Sequence, residues 1–456
     1  MLWSGSVLRQ AILIIVIVAA ALALAIPAGS DAYAFGPSWN DSSYIMVGGQ
    51  NGTWFQDGQA PRLERIDLFN YTTTNLQPAP TEGTVWGGGW NGSQWLISGW
   101  GEDDGSAGSN PYIFLYDGQN QVSAGSLNQY QAETSWHGGD IFSASYSGRK
   151  WLVSGLGSGV LSSYDDQESN HMSLATFDGY NFTDLSYAVP MQRDAILYAN
   201  AWNGSDWLVG GGYMSSGTLF SYDGTSRFVD LTSEMAGAVP TFGSVQSLAW
   251  NGSYWLIGGE NFLAAYDGHN FTDLTSKLDA VLNLNDDCCS SVNAIAWNGA
   301  EWMLGGGIPV AQVLSSHEWL ASYSAAGFVD LTSEVAPRGT GLNLSSSILT
   351  IAATEGSWVI GGYFKNQGSL YMYSASRFTN LSYLVSDFTY VNWVGAGRTP
   401  SQYQFTPFNP RGLPDSMVLV GQWKRLILFN LRTKLMHSIE TVVSKTFSVA
   451  RQLPRP

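Results

Sequence analysis

Residues 247–275, SLAWNGSYWLIGGENFLAAYDGHNFTDLT, hold the unit from which most of the chain is built. Two short apolar, aromatic-rich runs, Ser247 to Trp250 and Tyr254 to Ile257, flank Asn251-Gly252, the dipeptide that fits the two positive-φ positions of a type I′ hairpin turn. Gly258-Gly259 ends the second run, Phe262 to Tyr266 makes a third, Asp267-Gly268 marks another turn, and Phe271 to Leu274 makes a fourth. The unit therefore reads as a four-stranded antiparallel meander.

The aromatic that opens the second strand recurs as Tyr44, Trp95, Trp151, Trp207, Trp255, Trp302 and Trp358, with Met417 in the same place of a degraded last copy. That is a repeat of about 50 residues with four strands in each, which is what an all-β propeller blade requires. No 3.6-residue period runs through the repeats, so a helical solenoid is excluded. The count reads as eight four-stranded antiparallel blades, with seven the alternative. Both ends of the array supply strands of their own, so closure is expected from packing of the last blade on the first rather than from a shared sheet.

The runs Leu256-Ile257-Gly258-Gly259, Tyr266-Asp267-Gly268, Phe271 and Asp273-Leu274 resemble the kelch repeat. Kelch repeats usually carry Trp in the fourth strand, where this chain has Phe182, Phe228, Phe271, Phe328 and Phe378. The resemblance implies a kelch-like propeller over 35–446, between a leader at 1–34 and a basic tail at 447–456.

Charged residues make up only 12% of the chain, while Gly, Trp, Tyr and Phe are abundant, as suits stacked sheets with aromatic filling. A formal net charge of -16 argues against a nucleic-acid partner, which needs a basic surface. The basic residues concentrate near the C-terminus, where Lys424, Arg425, Arg432, Lys434, Lys445, Arg451 and Arg455 face only Glu440.

Ala11 to Ile26 is an apolar run preceded by Arg9 and followed by Pro27, Gly29, Ser30 and Asp31. It reads as a signal peptide or an N-terminal hydrophobic helix that anchors the chain in the membrane, with Ala32-Tyr33-Ala34 a candidate cleavage site. The positive-inside rule places the propeller outside the cell. Export makes glycan acceptors of the Asn-x-Ser/Thr sequons at Asn40, Asn51, Asn70, Asn91, Asn181, Asn203, Asn251, Asn270, Asn343 and Asn380, although Asn-Gly is equally a turn signal. The only cysteines, Cys288 and Cys289, are adjacent. A bond between neighbours is strained, so a mutual disulfide, an intermolecular bond and free thiols are the alternatives.

No catalytic constellation stands out. His137, His171, His269, His317 and His437 are scattered over different repeats without metal-ligand spacing. Vicinal cysteines and many tryptophans are shared with the pyrroloquinoline-quinone dehydrogenases, but the blade signature of that family is absent. The body also lacks the Arg cluster of a sialidase-like hydrolase. No resident cofactor is expected; Ca²⁺ is the one ion that Asp103, Asp104, Asp165, Asp166 and Glu168 would suit by ligand type.

The loops after the second strand are long and variable, and binding residues concentrate on such loops. The expected ligand face therefore carries Trp100, Glu102, Asp103, Asp104, Asp165, Asp166, Glu168, Asp286, Asp287 and Trp319, opposite most of the sequons. The reading is a cell-surface propeller that binds a protein or glycan without catalysis. An extracellular quinoprotein-like oxidoreductase or glycan hydrolase is the alternative. Export itself predicts that thiol titration of the native secreted protein finds neither cysteine free; two reactive thiols would count against an oxidising destination.

Overall fold

The computed structural model describes residues 44–396, apart from 52–59, 77–81, 103–109, 118–120, 123–138, 159–169, 190–194, 284–290, 310–315 and 336–345 and short gaps at 69, 214–215, 355–356, 366 and 375. The chain divides after Gly397 into two compact units, and every described residue belongs to the first. The apolar run from Ala11 to Ile26, and Met417 of the degraded last copy, lie outside the described residues.

Seven four-stranded antiparallel sheets form the described unit. Six of them, blades 2 to 7, take four consecutive strands each and open with Glu82–Trp90, Gly139–Tyr146, Ile196–Trp202, Val245–Trp250, Ser291–Trp297 and Ser346–Thr354. Blade 1 joins the two ends of the array: Tyr390–Ala396 pairs with Tyr44–Asn51, which is followed by Ala60–Asp67 and Thr72–Asn75. Two expectations are corrected here. The propeller has seven blades, not eight, and it closes through a shared sheet. A backbone ladder between the two ends satisfies the edge of the Tyr44 strand directly, and no eighth sheet is needed to complete the ring. The first strands touch one another in cyclic order, from Glu82–Trp90 round to Tyr390–Ala396 and back, so they form the innermost layer about the axis.

Blade-to-blade packing explains the paired glycines of the second strand. A Cβ on Gly48, Gly210, Gly258, Gly305 or Gly361 would stand 2.4–2.6 Å from a branched side chain of the next first strand, namely Val85, Val245, Val292, Ile348 or Val391. The following glycine is closed off by its own blade: a Cβ on Gly306 would lie 1.7 Å from the Ser291 carbonyl oxygen, and one on Gly211 would lie 1.8 Å from that of Ile196. At this level every first strand shifts register by one residue against the second, a β-bulge repeated in all seven blades.

The anchor aromatics are buried as their recurrence requires, from Trp95 and Trp302 at 0% exposure to Tyr44 at 7%. In blades 3 to 7 the third strand stacks an aromatic on the fourth-strand Phe: Phe177 on Phe182, Tyr222 on Phe228, Tyr266 on Phe271, Tyr323 on Phe328 and Tyr373 on Phe378.

The first hairpin is not a type I′ turn. Trp250 pairs with Trp255 across a four-residue loop, and only Gly252 is left-handed, at φ 96°. Asn251 instead uses its side-chain oxygen to accept the backbone N–H groups of Ser253 and Tyr254, each at 2.9 Å. Asn91, Asn203 and Asn298 repeat this arrangement, and Asp178 and Asp267 use it in the later hairpin. A side chain that mimics the turn backbone removes the need for two positive-φ residues.

The Asp-Leu-Thr run after the fourth strand starts a short helix that the periodicity did not disclose. Helices α1 (Thr232–Ala238), α2 (Thr275–Leu282) and α3 (Thr332–Val335) begin there, and a 3-10 turn at Ser382–Val385 begins at the equivalent Asn380-Leu381-Ser382. The carboxylates of Asp230, Asp273 and Asp330 accept the first-turn Thr N–H at 2.8–2.9 Å. The Thr hydroxyl bridges both backbone groups of a third-strand leucine, Leu219, Leu263 or Leu320. Elements this short lie below the length at which a helical period shows in sequence.

Gly306→Ala is expected to cost about 3 kcal/mol or more, because backbone must move to admit the methyl group. Gly299→Ala, left-handed at φ 100° with nothing within 4 Å of the new carbon, is expected to cost only about 1 kcal/mol. Urea unfolding of the two variants separates them, and equal costs would refute the role given to the paired glycines.

Candidate functional site

The strand order gives the ring two unlike ends. Turns between first and second strands and between third and fourth strands share one end, and those described are tight: 91–94, 147–150, 203–206, 251–254, 298–301, 178–181 and 267–270. Connections from second to third strands and from blade to blade share the other end. They vary from two residues, at Glu260 and Asn261, to the spans 52–59, 159–169 and 123–138. The sequons Asn70, Asn91, Asn181, Asn203, Asn251 and Asn270 fall at the tight end, whereas Asn51 and Asn380 close strands at the long-loop end. Asn40 and Asn343 lie outside the described residues.

Of the residues expected to bind ligand, Trp100 is part-buried near the long-loop end of blade 2, paired across the ladder with Thr84 and Pro111. Glu102 closes the same strand opposite Glu82. Asp103, Asp104, Asp165, Asp166, Glu168, Asp286 and Asp287, with Cys288 and Cys289, lie outside the described residues. Trp319 corrects an expectation. It is 1% exposed in the third strand of blade 6, packed among Leu304, Val292 and Ile295, and is not a surface aromatic. Its position opposite Gly306 explains this, since the missing glycine side chain makes room for the indole. His269 occupies the turn held by Asp267. Among the described residues no three His, Cys, Asp or Glu side chains gather as a metal site.

What the structure does bring together is a ring at the axis. The bulge leaves one residue of each first strand without a cross-strand partner: Trp86, Phe142, Tyr198, Gln246, Asn293, Leu349 and Asn392. The aromatic three come from adjacent blades and meet in series, Trp86 to Phe142 at 5.6 Å and Phe142 to Tyr198 at 5.3 Å between ring centroids. Across the ring, Asn293 donates to the Ser347 hydroxyl and the Ile348 carbonyl and accepts from Ser291. Asn392 is 8% exposed, and neither its amide nitrogen nor its oxygen has a hydrogen-bond partner. All of these residues but Leu349 stand four positions before the end of their strand, the place Trp90, Tyr146, Trp202, Trp250 and Trp297 fill in blades 2 to 6. That offset is the sequence signal by which the ring could have been found.

Several carboxyls are enclosed toward the long-loop end without a basic partner. Burial pushes Asp140, at the start of the first strand of blade 3, up to about 7. Burial likewise pushes Glu318, in the third strand of blade 6, up to about 7. Asp140 Oδ1 and both Glu318 oxygens lack hydrogen-bond partners. Burial also raises Glu260, in the loop of blade 5. The Tyr198 phenol is raised by burial first and then by the charges of Glu260 and Asp140. Sequence reading passed over Asp140, Glu260 and Glu318 because no motif surrounds them.

No family model matches the chain, and no curated protein matches it in sequence. Solved structures are similar at low identity. A chain of the mitotic checkpoint complex matches over 76% of this chain and 89% of that one, with 11% identity and a TM-score of 0.43. The acylaminoacyl peptidase of Pyrococcus horikoshii matches over 77% of this chain and 52% of that one, with 11% identity and a TM-score of 0.44. The β-propeller domain of the trilobed protease from Pyrococcus furiosus, described as having an open velcro topology, matches over 77% and 95%, with 11% identity and a TM-score of 0.44. At these values the likenesses carry no argument about activity. The class of protein, an all-β propeller of seven four-stranded blades, stands on the strand pairing.

The buried carboxyls set a pH dependence. Unfolded, such groups ionise near pH 4, while Asp140 and Glu318 folded hold their protons to about pH 7. Between those values the folded protein binds more protons than the unfolded chain, so stability present below about pH 4 is lost as the pH rises to about 7. Each group contributes up to about 1.4 kcal/mol per pH unit. Asp223, held down to about 2 by the backbone N–H of Thr225 first, acts in the opposite sense toward stronger acid. Urea unfolding across pH 3–8 is expected to show a maximum in mild acid, and Asp140→Asn with Glu318→Gln to flatten the fall above it. An unchanged slope in the double variant would refute the assignment.

Proposed function

We propose that this chain is an exported propeller, anchored or secreted, that binds a protein or glycan at the cell surface through its long-loop end and catalyses no reaction. The observation that carries the reading is the inequality of the two ends. One end is built of repeated tight turns fixed by Asn and Asp side chains, and the other of long connections of unequal length on the same rigid sheets. Variable loops on a rigid scaffold are where recognition residues concentrate.

Export is supported by the apolar run from Ala11 to Ile26, with Arg9 before it and Asp31 after it. Among the described residues no helix is long and apolar enough to cross a membrane. The sequons at the tight end would place glycans away from the binding loops. The negative net charge continues to argue against nucleic acid. Ca²⁺ remains the ion suited to Asp103, Asp104, Asp165, Asp166 and Glu168 by ligand type.

Replacing Trp100 by Ala and Asp103 and Asp165 by Asn together is expected to lower attachment to cell-surface material or arrayed glycans by at least about tenfold, as is usual when central contacts are removed. Ser253→Ala, at the tight end, should leave it unchanged. The reverse pattern would put the site on the wrong end, and turnover of a glycan by the purified chain would move the reading to an enzyme.

A further inference from the structure

We propose that the aromatic side of the axial ring, with Asp140 and Glu260, is a binding site for an alkylammonium group. The inference rests on the reading of the long-loop end as the binding end, since a ligand would enter there. Three rings from successive blades, Trp86, Phe142 and Tyr198, form an unbroken arc at the innermost layer. Aromatic faces attract a cation by their quadrupole, and more strongly when it is desolvated. Asp140 stands two residues before Phe142 in the first strand of blade 3, and the charges of Asp140 and Glu260 both reach the Tyr198 phenol.

Neither carboxyl is in an ion pair with a described basic residue; the pair between Arg62 and Asp387 lies elsewhere, in the region of blade 1. Asp140 Oδ1 is enclosed and has no hydrogen-bond partner. An enclosed carboxyl without a counter-charge is costly, and a ligand cation would supply that charge. Asn392, on the blade next to the one that holds Trp86, is a second unpartnered polar group in the same ring. Its amide is more than nine-tenths buried and unpartnered at both nitrogen and oxygen, and the oxygen is an acceptor for an ammonium N–H. Once Asp140 is ionised, above about pH 7, an anion would be repelled and a neutral ligand would leave that charge unopposed.

The test is isothermal titration of the full chain with butylammonium chloride, with 1-butanol as the uncharged control. The cation is expected to bind at least tenfold more tightly than the alcohol. Asp140→Asn, Glu260→Gln and Phe142→Leu should each weaken it about fivefold or more while circular dichroism and melting show a folded protein. Equal binding of the alcohol, no binding of the cation, or unchanged affinity in folded Asp140→Asn would overturn the proposal. A lysine-bearing peptide that binds tenfold more tightly than butylammonium would assign the group to a protein side chain, and the reverse order to a small amine. Attachment to surface material without cation uptake would remove this site and leave the binding-module reading standing; cation uptake without attachment would do the opposite.

Discussion

The close approach of blades at the paired glycines is the constraint on which the remaining structure depends. In five of the seven contacts between blades, a branched side chain from a first strand occupies the space that a Cβ on the preceding blade would need, as Val245 does over Gly210 and Val391 over Gly361. Protein interiors are packed too densely to absorb an extra carbon there without moving backbone. The second glycine of the pair lies against the carbonyl at the bulge, so one dipeptide serves both the contact between blades and the kink within a blade.

That kink produces the site. A regular ladder would direct every first-strand side chain toward one neighbouring blade or the other, leaving the axis lined by backbone. By inserting a residue at the same level in all seven sheets, the bulge turns a ring of side chains toward the axis. The shared sheet of blade 1 completes the ring, because the residue it contributes, Asn392, belongs to the closing strand.

Electrostatics divide in the same way as the loops. At the tight end, carboxylates such as Asp178, Asp223 and Asp267 are exposed, accept backbone N–H groups and are held below the ordinary range by those bonds. Toward the other end, Asp140, Glu260 and Glu318 are desolvated and raised. Charge that stabilises turns and charge held inside the sheets therefore respond oppositely to pH.

The sequence by itself determined the blade: its four strands, the aromatic that opens the second, the Asn-Gly and Asp-Gly hairpins, and the end of the ring on which long loops fall. These are local properties, set by turn chemistry and by side chains that alternate along one strand. It misled on Trp319, which lies outside the aromatic period yet fills the space above Gly306, a fact that depends on the facing strand. It was silent on the first-turn role of Asp230 and Asp273, where a side chain reaches two residues ahead rather than along a repeat. Only the tertiary structure decided that the ring closes at seven, that Tyr390–Ala396 lies beside Tyr44–Asn51, and that Trp86, Phe142 and Tyr198 meet. Each of these depends on how far successive sheets rotate about a common axis. That rotation is fixed by packing between residues about 50 positions apart, which no local pattern encodes.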